Sequence, residues 1–159
     1  MARQKSIGGV PLVDVAVALV TVGEGVLVVY NDNWQEFTLP MTKRREWMDP
    51  NMRGGAQRAE NWVDAAARAT APWLGRTLTP DEIAAEPLLE EASFLQSDSD
   101  GIVKRYHLQV FSVKLTRRPQ FPPGTMAEWL NFEDFRQRRP ISQTARHIIE
   151  CVQALRRDR

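Results

Sequence analysis

The segment that most constrains the fold is Val10 to Val22 (VPLVDVAVALVTV), which is rich in valine and partly alternates between apolar and polar residues. A run of this kind fits a strand that is largely buried in a sheet. Gly23-Glu24-Gly25 follows as a turn, and Val26 to Tyr30 (VLVVY) returns as a second apolar run. The two runs therefore predict a β-hairpin, and the fold is expected to be built around a sheet.

The remaining segments predict further strands and two main helices. Strands are expected at Gln35 to Leu39, Leu88 to Gln96, Ile102 to Leu115 and Ala127 to Phe132. Helices are expected from the Asn61 cap to Pro72, from Glu133 onwards (short) and at Ile141 to Arg157 (amphipathic). The order strands, helix, strands, helix predicts an α+β fold, an α/β/α sandwich with a mixed sheet. We expect one domain over residues 1–159, with its core at about residues 10–155.

Several local features carry expectations of their own. Met41 to Gly55 lacks periodicity and is predicted to be a long loop, and Thr79 to Glu82 a short helical turn. Asn61 is expected to cap the first main helix and Pro72 to end or kink it. Along Ile102 to Leu115 the apolar positions change phase, which suggests a bulge or a sharply twisted strand.

Composition and charge exclude several functional classes. The chain has 159 residues, of which 43% are hydrophobic and 26% charged, as in a soluble globular domain. The net charge of +1 gives no reason to expect nucleic acid or membrane surfaces as partners. The longest apolar run is too short to span a bilayer, and the N-terminus lacks the apolar region of a signal peptide. The single cysteine, Cys151, excludes an internal disulfide framework, and we expect a cytoplasmic protein.

The alanine-rich helix carries a spaced frame: Gly54, Glu60, Arg68 and Gly75. This frame resembles the signature of the Nudix hydrolase family, which runs Gly, five residues, Glu, seven residues, Arg-Glu-apolar-any-Glu-Glu, one residue, Gly. The resemblance extends to the segment Trp34 to Pro40 (WQEFTLP), which is similar to the strand that ends in Leu-Pro before that signature. It also includes Glu128-Trp129-Leu130 with the following acidic stretch, and the terminal amphipathic helix. It covers about residues 10–155 and implies the Nudix-like sandwich.

The resemblance also shows what is missing. Family members carry glutamates one, four and five positions after the arginine, and these hold Mg²⁺ or Mn²⁺ for hydrolysis of diphosphates. Here those positions are Ala69, Pro72 and Trp73, none of which offers an oxygen ligand. Placing Gly54 on the signature glycine assumes an insertion after Pro40, and an alternative alignment treats Met41-Thr42-Lys43 as the displaced turn. The remaining frame, Gly54, Glu60, Arg68 and Gly75, is interpreted as structural, with Arg68 pairing with Glu60 or Asp64.

A ligand site is predicted beside the Leu-Pro turn, where the family holds its diphosphate. The candidate residues are Lys43, Arg44, Arg45, Arg53 and Arg58, which suit phosphate, and Trp34, which can stack on a flat ring. The alternative for the basic residues is a solvated loop. Other tryptophans (Trp47, Trp62, Trp73) can line a ligand or partner surface, or pack in the core.

Three functional hypotheses follow. The first is a binding or regulatory domain with a degenerate Nudix box, taking a nucleotide-like or phosphorylated ligand and no cofactor. The second is a divergent pyrophosphohydrolase in which Glu60, Asp64 and Glu90 or Glu91 replace the lost ligands of Mg²⁺ or Mn²⁺. The third is a protein-interaction module, for instance a homodimer. His107 on its strand is a candidate base or an ordinary half-exposed histidine. We expect His147 at the surface, Cys151 packed, and the SDSDG segment (97–101) in a polar turn rather than a calcium loop.

Overall fold

The computed structural model describes residues 6–7, 10–49, 51, 57–97, 102–136 and 140–158. The strands are β1 (Ser6–Ile7), β2 (Val10–Val22), β3 (Gly25–Asn31), β4 (Glu36–Thr38), β5 (Met41–Lys43), β6 (Glu46–Met48), β7 (Gln57–Ala59), β8 (Leu89–Ser97), β9 (Val103–Lys114) and β10 (Ala127–Asn131). The helices are α1 (Trp62–Leu74) and α2 (Gln143–Arg157), with a 3₁₀ helix at Phe132–Arg136. The predicted order of strands and helices is confirmed.

Strand β2 is the centre of a mixed sheet with the order β10-β3-β2-β9-β8. It runs parallel to β9, from Leu12 opposite Arg105 to Thr21 opposite Lys114, and antiparallel to β3 and β5. Residues Val15 to Thr21 of this strand are buried on both faces, as the composition of the segment predicts. Strands β6 and β7 form a separate two-stranded hairpin.

The two faces of β2 are covered by different helices. Val15, Val17 and Leu19 belong to a core cluster with the apolar face of α2, which includes Ile148 and Ile149. The alternate residues face α1: Ala16 clusters with Ala65 and Ala66, while Ala18 and Val20 lie in the cluster that Ala67 and Trp73 pack against. Small residues on both sides let α1 lie close to the sheet. Helices on opposite faces of one mixed sheet confirm the α/β/α sandwich.

Helix α1 begins after the predicted cap residue but ends later than predicted. Asn61 is its N-cap residue, but its side chain makes no capping hydrogen bond. Pro72 lies inside the last turn, and the helix continues two residues further. It ends at Gly75, whose φ of 69° is left-handed and whose N–H donates to the Ala71 carbonyl at 2.9 Å. Glycine adopts this conformation without steric cost, so Gly75 rather than Pro72 ends the helix.

Of three other local predictions, the long loop and the position of the bulge are wrong. Met41 to Gly55 is not one loop, because β5 joins the central sheet and β6 pairs with β7. Residues 79–82 form the predicted short turn, in which the Glu82 N–H donates to the Thr79 carbonyl at 3.0 Å. The bulge lies between Glu91 and Phe94 of β8 rather than in β9. β9 changes phase because both its faces become buried, one against α2 and the other against α1.

Candidate functional site

An ion pair between Glu60, just before α1, and Arg68, in the second turn of α1, lies beside β5. The Arg68 guanidinium donates to both carboxylate oxygens of Glu60, with Nε–Oε2 at 3.1 Å and Nη2–Oε1 at 3.0 Å. It also donates to Thr42 Oγ1 at 3.1 Å and to the Lys43 carbonyl at 2.8 Å. Arg68, chiefly by hydrogen bonding, holds the pKa of the Glu60 carboxyl below its usual range. The predicted pairing of Arg68 with Glu60 is confirmed, although Glu60 precedes the helix instead of lying on it.

A second polar cluster lies between β2, β8 and β9, on the face that α1 covers. His107 places Nδ1 3.2 Å from Asp14 Oδ1 and Nε2 2.5 Å from Glu90 Oε1. Arg44 forms an ion pair with Asp14 at 3.3 Å and lies 5.0 Å over the ring of Trp62. Sequence reasoning missed Asp14, although it is the one acid within the apolar β2 segment. With both ring nitrogens facing carboxylates, His107 is a member of a polar network rather than an isolated strand histidine.

A cleft of about 190 Å³ lies beside β5, on the face of the sheet that α2 covers. Two predicted ligand-binding residues, Trp34 and Lys43, line it together with Asn31, Asn33, Val15, Met41, Thr42 and Tyr106. The Asn31 side chain accepts hydrogen bonds from the backbone N–H groups of Asn33 and Trp34, at 2.9 and 3.1 Å, and so fixes this turn. The next residue, Gln35, has a φ of 54°, which is unusual outside glycine. Such strain clusters at ligand sites.

The other predicted basic residues do not converge on this cleft. Arg44 points into the Asp14–His107 network, and its Nε donates to the Glu60 carbonyl at 2.6 Å. Arg58 pairs with Asp49 at 2.7 Å on the β6–β7 hairpin, while Arg45 is exposed. Arg53 and Gly54 lie outside the described residues. Of the four basic candidates that the structure describes, Lys43 lines the cleft, whereas Arg44, Arg45 and Arg58 lie elsewhere.

The sequence matches no protein-family model and no curated protein. The fold, by contrast, is close to that of solved structures. The MutT protein from Methanosarcina mazei Go1 superposes with a TM-score of 0.64 at 16% identity, over 95% of this chain and 99% of its own. A NUDIX family hydrolase from Clostridium perfringens gives 0.57 at 11% identity, over 89% and 97%. The chain has a Nudix-like fold. The C-terminal domain of mouse MUTYH, solved in complex with human PCNA, gives 0.59 at 18% identity, over 91% and 89%.

The Nudix-like fold implies a divalent metal on α1, and the residues here do not fit one. Ala69 is 6% exposed in the core, Pro72 carries no oxygen in its side chain, and Trp73 packs against an apolar cluster that includes Leu78 and Val113. Mg²⁺ needs several oxygen ligands in a near-octahedral arrangement. These three side chains supply none.

The replacement acids do not gather around α1 either. Within the described ranges, Glu60, Asp64, Glu90 and Glu91 form no group of three with ligand atoms inside 4.8 Å. Glu60 is held by Arg68, and Glu90 lies against His107. Glu91, the next residue, pairs across the sheet with Leu108 and so faces α2 instead. Adjacent residues of a strand point to opposite faces, so Glu90 and Glu91 cannot serve one site.

The β6–β7 hairpin exposes two large apolar side chains. Trp47 and Met48 are both about half exposed on β6. Of the other tryptophans, Trp62 and Trp73 pack against core clusters beside α1, and Trp34 packs against the α2-side core at the rim of the cleft. The described part of the chain contains no helix with the length and apolar character needed to cross a membrane.

Proposed function

We propose that this protein is a Nudix-fold binding domain for a nucleotide-like or phosphorylated ligand and that it does not hydrolyse diphosphates with Mg²⁺ or Mn²⁺. The observation that carries the proposal is that α1 keeps its structural ion pair while the acid positions are filled by a buried alanine, a proline and a packed tryptophan. Water activation in such a fold depends on carboxylate-held metal, and this helix offers methyl, pyrrolidine and indole groups instead.

The cleft beside β5 supports the choice of ligand. It combines the aromatic rings of Trp34 and Tyr106, the amides of Asn31 and Asn33, and the ammonium of Lys43. Aromatic rings stack on a planar base, amides hydrogen-bond to its edge, and a cation attracts phosphate. The cleft is smaller than the roughly 300–1,000 Å³ of drug-sized pockets, so we expect it to hold one planar ring with the phosphate at its mouth.

Binding is tested by calorimetry with nucleoside mono- and diphosphates against the full chain. Trp34→Ala removes the stacking surface and Lys43→Gln removes the charge, and each is expected to weaken binding at least about tenfold, a loss of roughly 1.4 kcal/mol. Arg58→Gln is the matched charge control, because Arg58 lies on the hairpin away from the cleft. Equal affinity in wild type and both cleft variants contradicts the ligand site.

Catalysis is tested separately with the same compounds and Mg²⁺ or Mn²⁺. We expect ligands to bind without being consumed, as followed by phosphate release and chromatography. Turnover that disappears in Asp64→Asn or Glu90→Gln would instead establish the divergent hydrolase, with those acids as replacement ligands. Glu60→Gln alone is less decisive, since it also breaks the ion pair with Arg68.

A second candidate function, a protein-interaction module, is favoured by the exposed pair Trp47 and Met48. Adjacent residues of a strand point to opposite faces, so the β6–β7 hairpin presents one exposed large apolar side chain on each face, and either offers a partner an apolar anchor. The mouse MUTYH domain of the same fold was solved with a protein partner, which makes such a role reasonable here. Sedimentation over a range of concentrations tests the homodimer: we expect self-association that Trp47→Ser with Met48→Ser abolishes. A monomer at all concentrations contradicts the homodimer.

A further inference from the structure

Three potential metal ligands meet where β8 packs against α2. His147 and Cys151 are four residues apart on α2, so they lie one turn apart on the same face of the helix. Glu91 reaches them from β8. Among the described residues they are the one group of three His, Cys, Asp or Glu side chains with ligand atoms within 4.8 Å of one another.

The separations within this group match those around a tetrahedral metal ion. His147 Nε2 lies 3.3 Å from Glu91 Oε1, and Cys151 Sγ lies 3.7 Å from each of these atoms. Zinc binds histidine nitrogen and carboxylate oxygen at about 2.0–2.2 Å and thiolate sulfur at about 2.3 Å. At tetrahedral angles these bond lengths place nitrogen and oxygen about 3.3 Å apart, and sulfur about 3.6 Å from either. An ion can therefore enter with little movement of the side chains.

The site is accessible yet supported by rigid elements. The side chains of His147 and Glu91 are 41% and 30% exposed, which leaves a path for an ion, and Cys151 is half-buried beneath them. Two ligands lie on a helix and one on a strand, and the helix is anchored by the buried residues Ile148, Ile149 and Val152. Elements packed in this way hold ligands more firmly than loops do.

A reactive cysteine does not account for the cluster of Glu91, His147 and Cys151. The Cys151 thiol is half-buried and lies 3.7 Å from the Glu91 carboxylate, which is not the electropositive setting of a reactive cysteine. Hydrogen bonds in which a cysteine sulfur is donor or acceptor are also weak. A divalent cation would give the carboxylate, imidazole and thiolate a common partner.

We propose that Glu91, His147 and Cys151 bind a divalent transition-metal ion, with Zn²⁺ the best match, and leave its fourth position to water. A mixed set of sulfur, nitrogen and oxygen ligands suits zinc and disfavours Mg²⁺, which requires oxygen. The site lies on the α2 face of the sheet, opposite the α1 face that carries the Nudix-like helix. None of its three ligands lines the cleft at Trp34, and the site links β8 to α2 across the α2-side core.

Cobalt substitution tests this site in the purified full chain. Co²⁺ is expected to bind one per chain and to give the near-ultraviolet charge-transfer band of a cobalt–thiolate bond together with intense tetrahedral bands in the visible. Cys151→Ser is expected to abolish the charge-transfer band. His147→Gln and Glu91→Gln are each expected to weaken Co²⁺ and Zn²⁺ binding at least about tenfold, as changes around metal sites typically do. Zn²⁺ is expected to raise the melting temperature of the wild type.

Glu150→Gln is the matched control, since it removes a carboxylate beside Cys151 that is not in the ligand group. It is expected to bind Co²⁺ as the wild type does. Failure of the wild type to take up Co²⁺, bound cobalt without a thiolate band, or undiminished affinity in His147→Gln would each overturn the proposal. A loss in Glu150→Gln equal to that in Glu91→Gln would also overturn it, because general negative charge would then explain the binding.

Discussion

Breaking the Glu60–Arg68 pair should cost more stability than an ordinary surface ion pair. The side chains are 28% exposed for Arg68 and 14% for Glu60, and Arg68 makes four hydrogen bonds. Exposed pairs contribute about 0.2–1 kcal/mol, whereas breaking a fully buried pair costs about 3–5 kcal/mol. We therefore expect Glu60→Gln to lower the free energy of unfolding by about 2 kcal/mol and Arg68→Met by about 2–3 kcal/mol.

A double-mutant cycle by urea denaturation at neutral pH measures the interaction itself. The double variant is expected to lose about 1–2 kcal/mol less than the sum of the single variants, because each single change removes the same contacts. Glu24→Gln, at an exposed turn, is the control and should change stability little. Losses that add to within about 0.3 kcal/mol would refute the view that Glu60 and Arg68 act as one structural unit.

The same pair has a pH signature with a definite sign. The folded-state pKa of Glu60 is lowered from 4.5, so its stabilising effect is present above pH 4.5 and is lost as the pH falls through the folded-state pKa. The stability difference between wild type and Glu60→Gln should therefore shrink in acid. A difference that stays constant below pH 4 would contradict the assignment of this carboxylate as the charged partner.

Three further predictions concern α1 and the turn after it. Restoring acids with Ala69→Glu or Trp73→Glu should lower the free energy of unfolding by at least about 2 kcal/mol, because the first buries a carboxylate and the second removes packed apolar surface. Neither change should create manganese-dependent hydrolysis. Hydrolysis gained at an unchanged melting temperature would contradict this prediction. Gly75→Ala should cost about 1 kcal/mol in urea denaturation because its φ is left-handed, and no loss would mean that the helix does not end there. Arg76, chiefly by hydrogen bonding, lowers the pKa of Glu82 to about 2. The stability that this pair adds should therefore be complete above pH 4.5 and fall as the pH approaches 2. The Glu82→Gln variant should not show this decline.

The sheet and its covering helices could be predicted from local patterns because their apolar periodicity is strong. Val10 to Val22 could be recognised as a buried strand from composition alone. Its parallel pairing with β9 could not, because Leu12 and Arg105 are brought together only by the folded chain. The three-residue strands β5 to β7 were missed for a related reason: segments this short carry no measurable period.

The candidate sites show the same division between local and long-range information. The Glu60–Arg68 pair follows from spacing along one segment and was predicted. The network around His107 depends on Asp14, which lies 93 residues away along the chain, and nothing near either residue indicates the contact. Likewise Glu91 was considered for a site on α1, whereas its position on β8 brings it to His147 and Cys151 on α2.

The central claim, that α1 cannot hold a divalent cation, is tested most directly by anomalous diffraction from crystals soaked in Mn²⁺. The account predicts no manganese peak within about 2.5 Å of any side-chain oxygen of α1 or of Glu60, the range of hard-cation ligation. A manganese ion coordinated by Glu60, Asp64 or Glu90 would contradict it and would favour the divergent hydrolase over the binding domain.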